Sequence, residues 1–170
     1  MIPKFTEKGY LPEGYHKTTL NEFKNRFSKN KSMKRQEIIK IYEKHLKEIL
    51  NTKLATDHWI DGSFVTDKKE PEDIDLLTEF DGVKSDNLNM KEQIDYIIFN
   101  AQRKHNNVCD SHRIFKYPES MEIEYKSYIT SKTKYLCLLF NSDREYNLKG
   151  VINLSLKLKR GDLKWWKLKV

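Results

Sequence analysis

Two aspartates on one predicted strand constrain the fold of this 170-residue chain more than any other feature. Asp73 and Asp75 stand at the start of the apolar run 73–80 (DIDLLTEF), which is typical of a strand. Side chains at positions i and i+2 of a strand project from the same face, so the two carboxylates lie side by side while Ile74 points into the core. Adjacent like charges are unfavourable unless a cation neutralises them. Because hard oxygen ligands favour Mg²⁺ or Mn²⁺ over Zn²⁺, we expect Asp73 and Asp75 to bind one of these ions.

A glycine–serine turn precedes this strand. The apolar run 58–60 predicts a short strand that leads into the turn at Gly62 and Ser63. Glycine at such a turn lets the backbone approach a phosphate closely, and the Ser63 hydroxyl and nearby amides can hold phosphate oxygens. The polar loop 64–72 would bring Asp73 back beside the turn. We therefore expect the phosphate-binding turn and the metal-binding carboxylates to bracket one triphosphate.

These segments resemble a known signature. The stretches Trp59 to Val65 and Pro71 to Leu76 are similar to the hGS … DxD pattern of the polymerase-β-like nucleotidyltransferase superfamily. The chain looks most like a group of small bacterial and phage proteins of that superfamily. The resemblance runs from about residue 11 to 158 and also includes Leu11-Pro12-Glu13-Gly14, Cys109-Asp110 and Asp143-Arg144 … Lys149-Gly150.

The resemblance implies a third carboxylate on a later strand, and Asp110 is the matching residue. Asp73, Asp75 and Asp110 would then be both the metal ligands and the catalytic residues, with Asp110 as a base for the acceptor hydroxyl. His112 would share the face of Asp110, where it either contacts nucleotide or acceptor or is a surface histidine without a role.

Four residues are candidates for nucleotide or phosphate binding: Gly62, Ser63, Lys68 and Arg144. Lys68 lies in the loop between the turn and the strand, and it either neutralises the triphosphate or faces solvent. Arg144 and the nearby Lys149 either reach phosphate or acceptor, or belong to a capped connection between a helix and a strand.

The alternation of helical and strand patterns predicts an α+β fold, in which a small mixed β-sheet packs with helices, as in a nucleotidyltransferase palm. Thr19 and Ser32 are predicted helix N-caps. We expect a single nucleotidyltransferase-like domain over 1–170, with an irregular lead-in at 1–17 and a basic aromatic tail at 159–170. The tail's Trp165 and Trp166 either pack against protein or stack on bases. Helices are predicted near 19–27, 32–51, 87–104 and 120–140, and strands near 58–60, 73–80, 108–115 and 151–158.

Composition narrows the expected location and partners. No stretch approaches the ~20 apolar residues of a membrane span, and the N-terminus lacks a signal-peptide pattern, so we expect a cytoplasmic protein without a membrane partner. Cys109 and Cys137 are expected to be reduced thiols. The net charge of +7 suits either a polyanionic partner or a lysine-rich solvated surface.

The resemblance and the charge together lead to one functional expectation and one alternative. The protein is expected to move an NMP from an NTP substrate to a hydroxyl acceptor, with Mg²⁺ or Mn²⁺ as cofactor. RNA or a partner protein is the favoured acceptor, and a toxin–antitoxin or phage-related conflict system is the expected setting. The alternative is a catalytically inactive protein of the same fold that acts by binding a protein partner.

Overall fold

The computed structural model describes residues 1–143, 145 and 147–156. The candidate residue Arg144 and the predicted tail 159–170, with Trp165 and Trp166, lie outside the described residues. The strands are β1 (Gly14–Thr18), β2 (Ala55–Asp61), β3 (Ile74–Asp81), β4 (Cys109–Lys116) and β5 (Gly150–Leu154). The helices are α1 (Leu20–Phe27), α2 (Met33–Asn51), α3 (Gly82–Asn87), α4 (Lys91–Phe99), α5 (Ala101–Lys104) and α6 (Glu122–Thr133), with a 3-10 turn at Ser63–Val65 and a π-helical turn at Lys134–Leu139.

The strands form one mixed sheet in the order β1-β5-β2-β3-β4. Strand β1 pairs with β5 in parallel, β5 with β2 and β2 with β3 antiparallel, and β3 with β4 in parallel. The parallel β3–β4 pair needs a crossover, and helices α3, α4 and α5 supply it. The predicted α+β class with a mixed sheet is therefore confirmed.

The predicted helix caps are present. The Thr19 hydroxyl accepts a hydrogen bond from the Glu22 amide at 3.2 Å, and the Ser32 hydroxyl accepts one from the Arg35 amide at 3.3 Å. Each bond satisfies one of the donors that the first helical turn leaves without a partner. The Glu22 carboxylate accepts hydrogen bonds from the Thr18 hydroxyl and the Ile2 amide, which ties the N-terminus to α1.

Both faces of the sheet are covered by apolar side chains. One face carries Ile60, Ile74 and Leu76, which pack in one core with residues of α1 and α2. The other face carries Trp59 and Leu77, which pack against α6 and the π-helical turn. Alternation along β3 places Asp75 on this second face, at the end of the sheet where the strand begins.

Several predicted boundaries are wrong. The lead-in 1–17 is not irregular throughout, because residues 14–18 form the edge strand β1. The sequence of this strand has no apolar alternation, and pairing with β5 holds it in the sheet. The predicted helix 87–104 is split at Asn100 into α4 and α5, and α3 precedes it. The strand predicted at 151–158 is β5, which begins at Gly150 and ends earlier than predicted, at Leu154. It is buried at every position, since it lies between β1 and β2.

Among the described residues, no helix has both the length and the apolar character needed to cross a membrane.

Candidate functional site

Strand pairing brings the predicted carboxylates together at one end of the sheet. Asp75 on β3 is in register with Asp110 on β4 and with Asp61 on β2. Asp73 immediately precedes β3, and it lines the same cleft as Asp75. Residues directly opposite each other on neighbouring strands have side chains on the same face, so these acidic groups surround one site. The predicted set of Asp73, Asp75 and Asp110 therefore converges in the fold.

The electrostatics of this site fit a bound cation. Burial, together with the neighbouring charges of Asp73 and Asp110, raises the pKa of Asp75 to about 6. The pKa of Asp73 is also raised, first by burial and then by Asp110 and Glu72. Carboxylates that repel one another in this way gain most from a divalent cation, and their hard oxygen donors suit Mg²⁺ or Mn²⁺. Asp73, Asp75 and Asp110 are the residues that could hold such an ion.

The turn at Gly62 needs glycine for two reasons. Its φ of +80° lies in the left-handed region that side chains rarely adopt. A Cβ atom at this position would also overlap the carboxylate of Asp75. The turn therefore lies directly against the acidic site, and Ser63 follows it at the start of the 3-10 turn. The buried side chain of Phe64 anchors this turn in the core.

The acidic residues and the turn line one wall of a cleft of about 1030 Å³. Ser63, Lys68 and His112 also line it. The positive charge of Lys68 opposes the rise in the pKa of Asp73, which places the lysine within electrostatic reach of the acidic site. Every predicted site residue that the structure describes therefore lines this one cleft, and Arg144 lies outside the described residues.

His112 lines the cleft and contacts the π-helical turn that follows α6. Its Nε2 atom is 3.4 Å from Oδ1 of Asp110, and its ring contacts that of Tyr135 at a centroid distance of 5.2 Å. The imidazole is therefore positioned to orient Asp110 or to meet a ligand in the cleft.

A comparison with protein-family models gives one match. Residues 3–155 match the model described as "Family of unknown function (DUF6932)". The chain belongs to this family. Comparisons with curated proteins and with solved structures give no match.

One residue of this DUF6932 member that sequence reasoning missed is Arg35. Its buried guanidinium donates to the carbonyl oxygens of Phe64 at 2.7 Å, Thr66 at 2.9 Å and Lys68 at 2.6 Å. It therefore holds residues 64–68, the first part of the loop between the glycine turn and β3. The signal was present, because Arg35 shares the apolar face of α2 with Tyr42, a position where arginine is rarely found without partners.

A second missed feature of the DUF6932 site is a buried ion pair. Nζ of Lys149 lies 2.7 Å from Oδ2 of Asp61, and both side chains are almost fully buried. Burial raises the pKa of Asp61, and the ammonium of Lys149 opposes that rise. Lys149 thus pairs with the end of β2, and it also lines the cleft. The sequence gives Asp61 no role of its own, because its pairing with Asp75 depends on strand register.

The lead-in also contributes to the cleft. Lys8 and Tyr10 line it, and the Tyr10 hydroxyl donates to Oδ2 of Asp143 at 2.8 Å. The amide of Asp67 donates to the carbonyl of Gly9 at 2.9 Å. The lead-in therefore packs against the loop that Arg35 holds, although no local pattern in the sequence predicted it.

Proposed function

We propose that this protein is a metal-dependent nucleotidyltransferase with a palm-like sheet. The observation that carries the proposal is the convergence of Asp73, Asp75 and Asp110 in one cleft, beside the turn at Gly62 and Ser63. The resemblance to polymerase-β-like nucleotidyltransferases supports the same reading, because its signature residues are the ones that meet at this site.

The proposed roles follow from where the side chains lie. Asp73 and Asp75 would hold Mg²⁺ or Mn²⁺, which neutralises their charge and stabilises charge on the transferring phosphate. The turn at Gly62 and Ser63 would bind phosphate oxygens, with Lys68 as a counter-charge.

Asp110 is the proposed base. The acceptor hydroxyl oxygen would attack the α-phosphorus of the NTP, the bond to the β-phosphate would break, and pyrophosphate would leave. Asp110 would accept the hydroxyl proton, and its 3.4 Å contact with His112 would orient it for this transfer.

We favour RNA or protein as the acceptor. The net charge of +7 supports a large anionic partner, and a cleft of about 1030 Å³ leaves room beyond one nucleotide. A toxin–antitoxin or phage-related conflict system is the proposed setting, and it rests on the resemblance alone.

Label transfer tests this function. Each of the four NTPs, labelled on the α-phosphate, would be incubated with the protein, Mn²⁺ or Mg²⁺, total RNA and cell protein. We expect transfer by the wild-type protein and a loss of at least ~100-fold in Asp110→Asn, the scale of removing a general base. Asp95→Asn is the matched control, because Asp95 pairs with Arg113 outside the cleft. If no NTP raises the thermal stability of the protein and no label transfers, the proposal is wrong.

Exposed apolar side chains beside the cleft favour a second candidate, the inactive binding protein. Leu139 lines the cleft and is 52% exposed, and Leu148 is 55% exposed. If a protein partner covers these side chains, Leu139→Ser should abolish binding of that partner, whereas Asp110→Asn should leave it intact. That pattern, without label transfer, would favour this candidate over the enzyme.

A further inference from the structure

A cluster of two histidines and a glutamate lies on the opposite side of the sheet from the acidic cleft. His45 and Glu48 are separated by one turn of α2, and His105 follows α5. Glu48 Oε2 is 3.8 Å from Nδ1 of His45 and 3.9 Å from Nε2 of His105. One ligand atom from each residue lies within 4.8 Å of the other two. None of these residues takes part in the function proposed above.

Two buried ring nitrogens in the cluster have no hydrogen-bond partner among the described residues: Nδ1 of His45 and Nε2 of His105. His45 is completely buried. A buried polar atom without a partner costs about 1–3 kcal/mol, so such atoms are rare unless something else satisfies them. Both nitrogens are also the ones that face Glu48, which indicates a missing group between the three side chains.

The other ring nitrogen of His45 is oriented in the way that metal-binding histidines usually are. Its Nε2 lies 2.9 Å from the hydroxyl oxygen of Ser111. When Nε2–H donates to this hydroxyl, Nδ1 carries the free lone pair and can bind a metal. Such an outer hydrogen bond fixes the tautomer and the ring orientation of a ligand histidine.

We propose that His45, Glu48 and His105 bind a divalent first-row transition metal, with Zn²⁺ the best fit. Two imidazoles and one carboxylate suit Zn²⁺, whereas Mg²⁺ and Ca²⁺ prefer oxygen ligands. Zinc bonds of about 2.0–2.2 Å put tetrahedral ligands about 3.4 Å apart. The ligand atoms lie within 4.8 Å of one another, so they need to close by at most about 1.4 Å. The side chain of Glu48 is 35% exposed, which leaves the fourth position open to water.

Lys104 competes with the metal in this arrangement. Its Nζ lies 3.4 Å from both carboxylate oxygens of Glu48. It also lies over the ring of Tyr96, at 4.7 Å from the centroid, so its ammonium has a second site when it leaves Glu48. The lysine therefore neutralises Glu48 without the metal and must turn away when the metal binds.

The site would join α2 to the turn that precedes β4. Asn106 and Asn107 both have positive φ angles, of 52° and 59°, and they turn the chain from His105 toward β4. Asparagine tolerates this conformation better than most residues. Zinc would hold this turn against α2, so we expect metal binding to stabilise the fold.

The test is a titration of metal-free full-length protein with Zn²⁺ by calorimetry and with Co²⁺ by visible absorption. We expect one ion per chain and intense tetrahedral Co²⁺ bands. Ser111→Ala should weaken binding about 10-fold or more by removing the outer hydrogen bond. His105→Gln should weaken it further, and Lys104→Gln should tighten it by removing the competing cation.

The controls separate this site from the acidic cleft. Asp75→Asn should abolish Mn²⁺ binding in the cleft and leave the tight Zn²⁺ site unchanged. His105→Gln should weaken Zn²⁺ binding and leave Mn²⁺ binding in the cleft unchanged. His105 is used because His45 is completely buried and its replacement is more prone to unfold the chain. The proposal is overturned if Zn²⁺ binds wild type, Ser111→Ala and His105→Gln with equal affinity, or if the Co²⁺ spectrum stays that of the hydrated ion.

Discussion

Replacing Asp75 by asparagine should stabilise the metal-free protein. The pKa of Asp75 is raised from 3.8 to about 6, so its contribution to stability is fully present below pH 3.8 and is lost as the pH rises through 6. The shift corresponds to a cost of about 3 kcal/mol at pH 8, where the carboxylate is ionised in both states. Asparagine keeps the shape and removes the charge, but its buried amide still loses hydration. We therefore expect a net gain of about 1–3 kcal/mol.

Thermal unfolding at pH 8 measures this gain. For a chain of this size about 1 kcal/mol corresponds to about 2–4 °C in Tm, so Asp75→Asn should melt about 2–12 °C above wild type in EDTA. Mn²⁺ at 100 times its Kd should stabilise the wild type by about 2.7 kcal/mol and the variant hardly at all.

The matched control is Asp95→Asn, which removes a carboxylate in a partly exposed ion pair with Arg113. It should change the free energy of unfolding by no more than about 1 kcal/mol and keep the Mn²⁺ response. If Asp75→Asn melts below wild type in EDTA, the repulsion that we infer at this site does not exist. If the variant still responds to Mn²⁺ like wild type, Asp75 is not a ligand.

Three further predictions concern single residues around the site and core. Arg35→Met should lower the free energy of unfolding by about 3 kcal/mol or more, because several carbonyl groups lose a charged donor. Faster amide exchange over residues 64–68 would show that the loop has loosened, whereas unchanged exchange would contradict the role of Arg35. Gly62→Ala should cost about 1–3 kcal/mol in backbone strain, and it should also weaken Mn²⁺ binding because the added methyl group displaces Asp75. Calorimetry measures this binding, and a wild-type affinity for Mn²⁺ would show that Gly62 does not lie against the Asp75 carboxylate. Burial lowers the pKa of His58 from 6.5 to about 3, so its contribution to stability is present above pH 6.5 and is lost as the pH falls toward 3. Urea unfolding should show wild type losing about 2 kcal/mol more than His58→Asn between pH 7.5 and 5, and parallel pH curves would mean that His58 is not buried as a neutral ring.

Sequence reasoning identified most of the elements because their signals are local. The caps Thr19 and Ser32 and the apolar periodicity of α2 depend only on neighbours in the chain, and all are present. Strand β1 was missed because GYHKT carries no apolar alternation, and its existence depends on pairing with distant β5. A local pattern does not encode a partner that lies more than a hundred residues away.

The candidate site divides in the same way. Asp73 and Asp75 were found together because a strand puts positions i and i+2 on one face. Asp110 came from the resemblance, and only the β3–β4 register shows that it lies beside Asp75. Asp61 and Lys149 were missed as a pair, since their contact spans the sheet from β2 to the residue before β5. The cluster of His45, Glu48 and His105 was missed because His105 follows α5, far along the chain from the two residues on α2.

Strand β4 is the element that the two proposed sites share. Asp110 points into the cleft and Ser111 points to His45, because successive side chains of a strand alternate between faces. The position of Asp110 is set by the β3–β4 ladder, which runs in unbroken register from Ile74↔Cys109 to Asp81↔Lys116. Among the described residues, the hydrogen bond between His45 and Ser111 links the histidine cluster to this ladder from the opposite face of the sheet. Loss of the metal behind the sheet should therefore lower the stability of the fold while Asp75 and Asp110 stay in register, so the two sites fail separately.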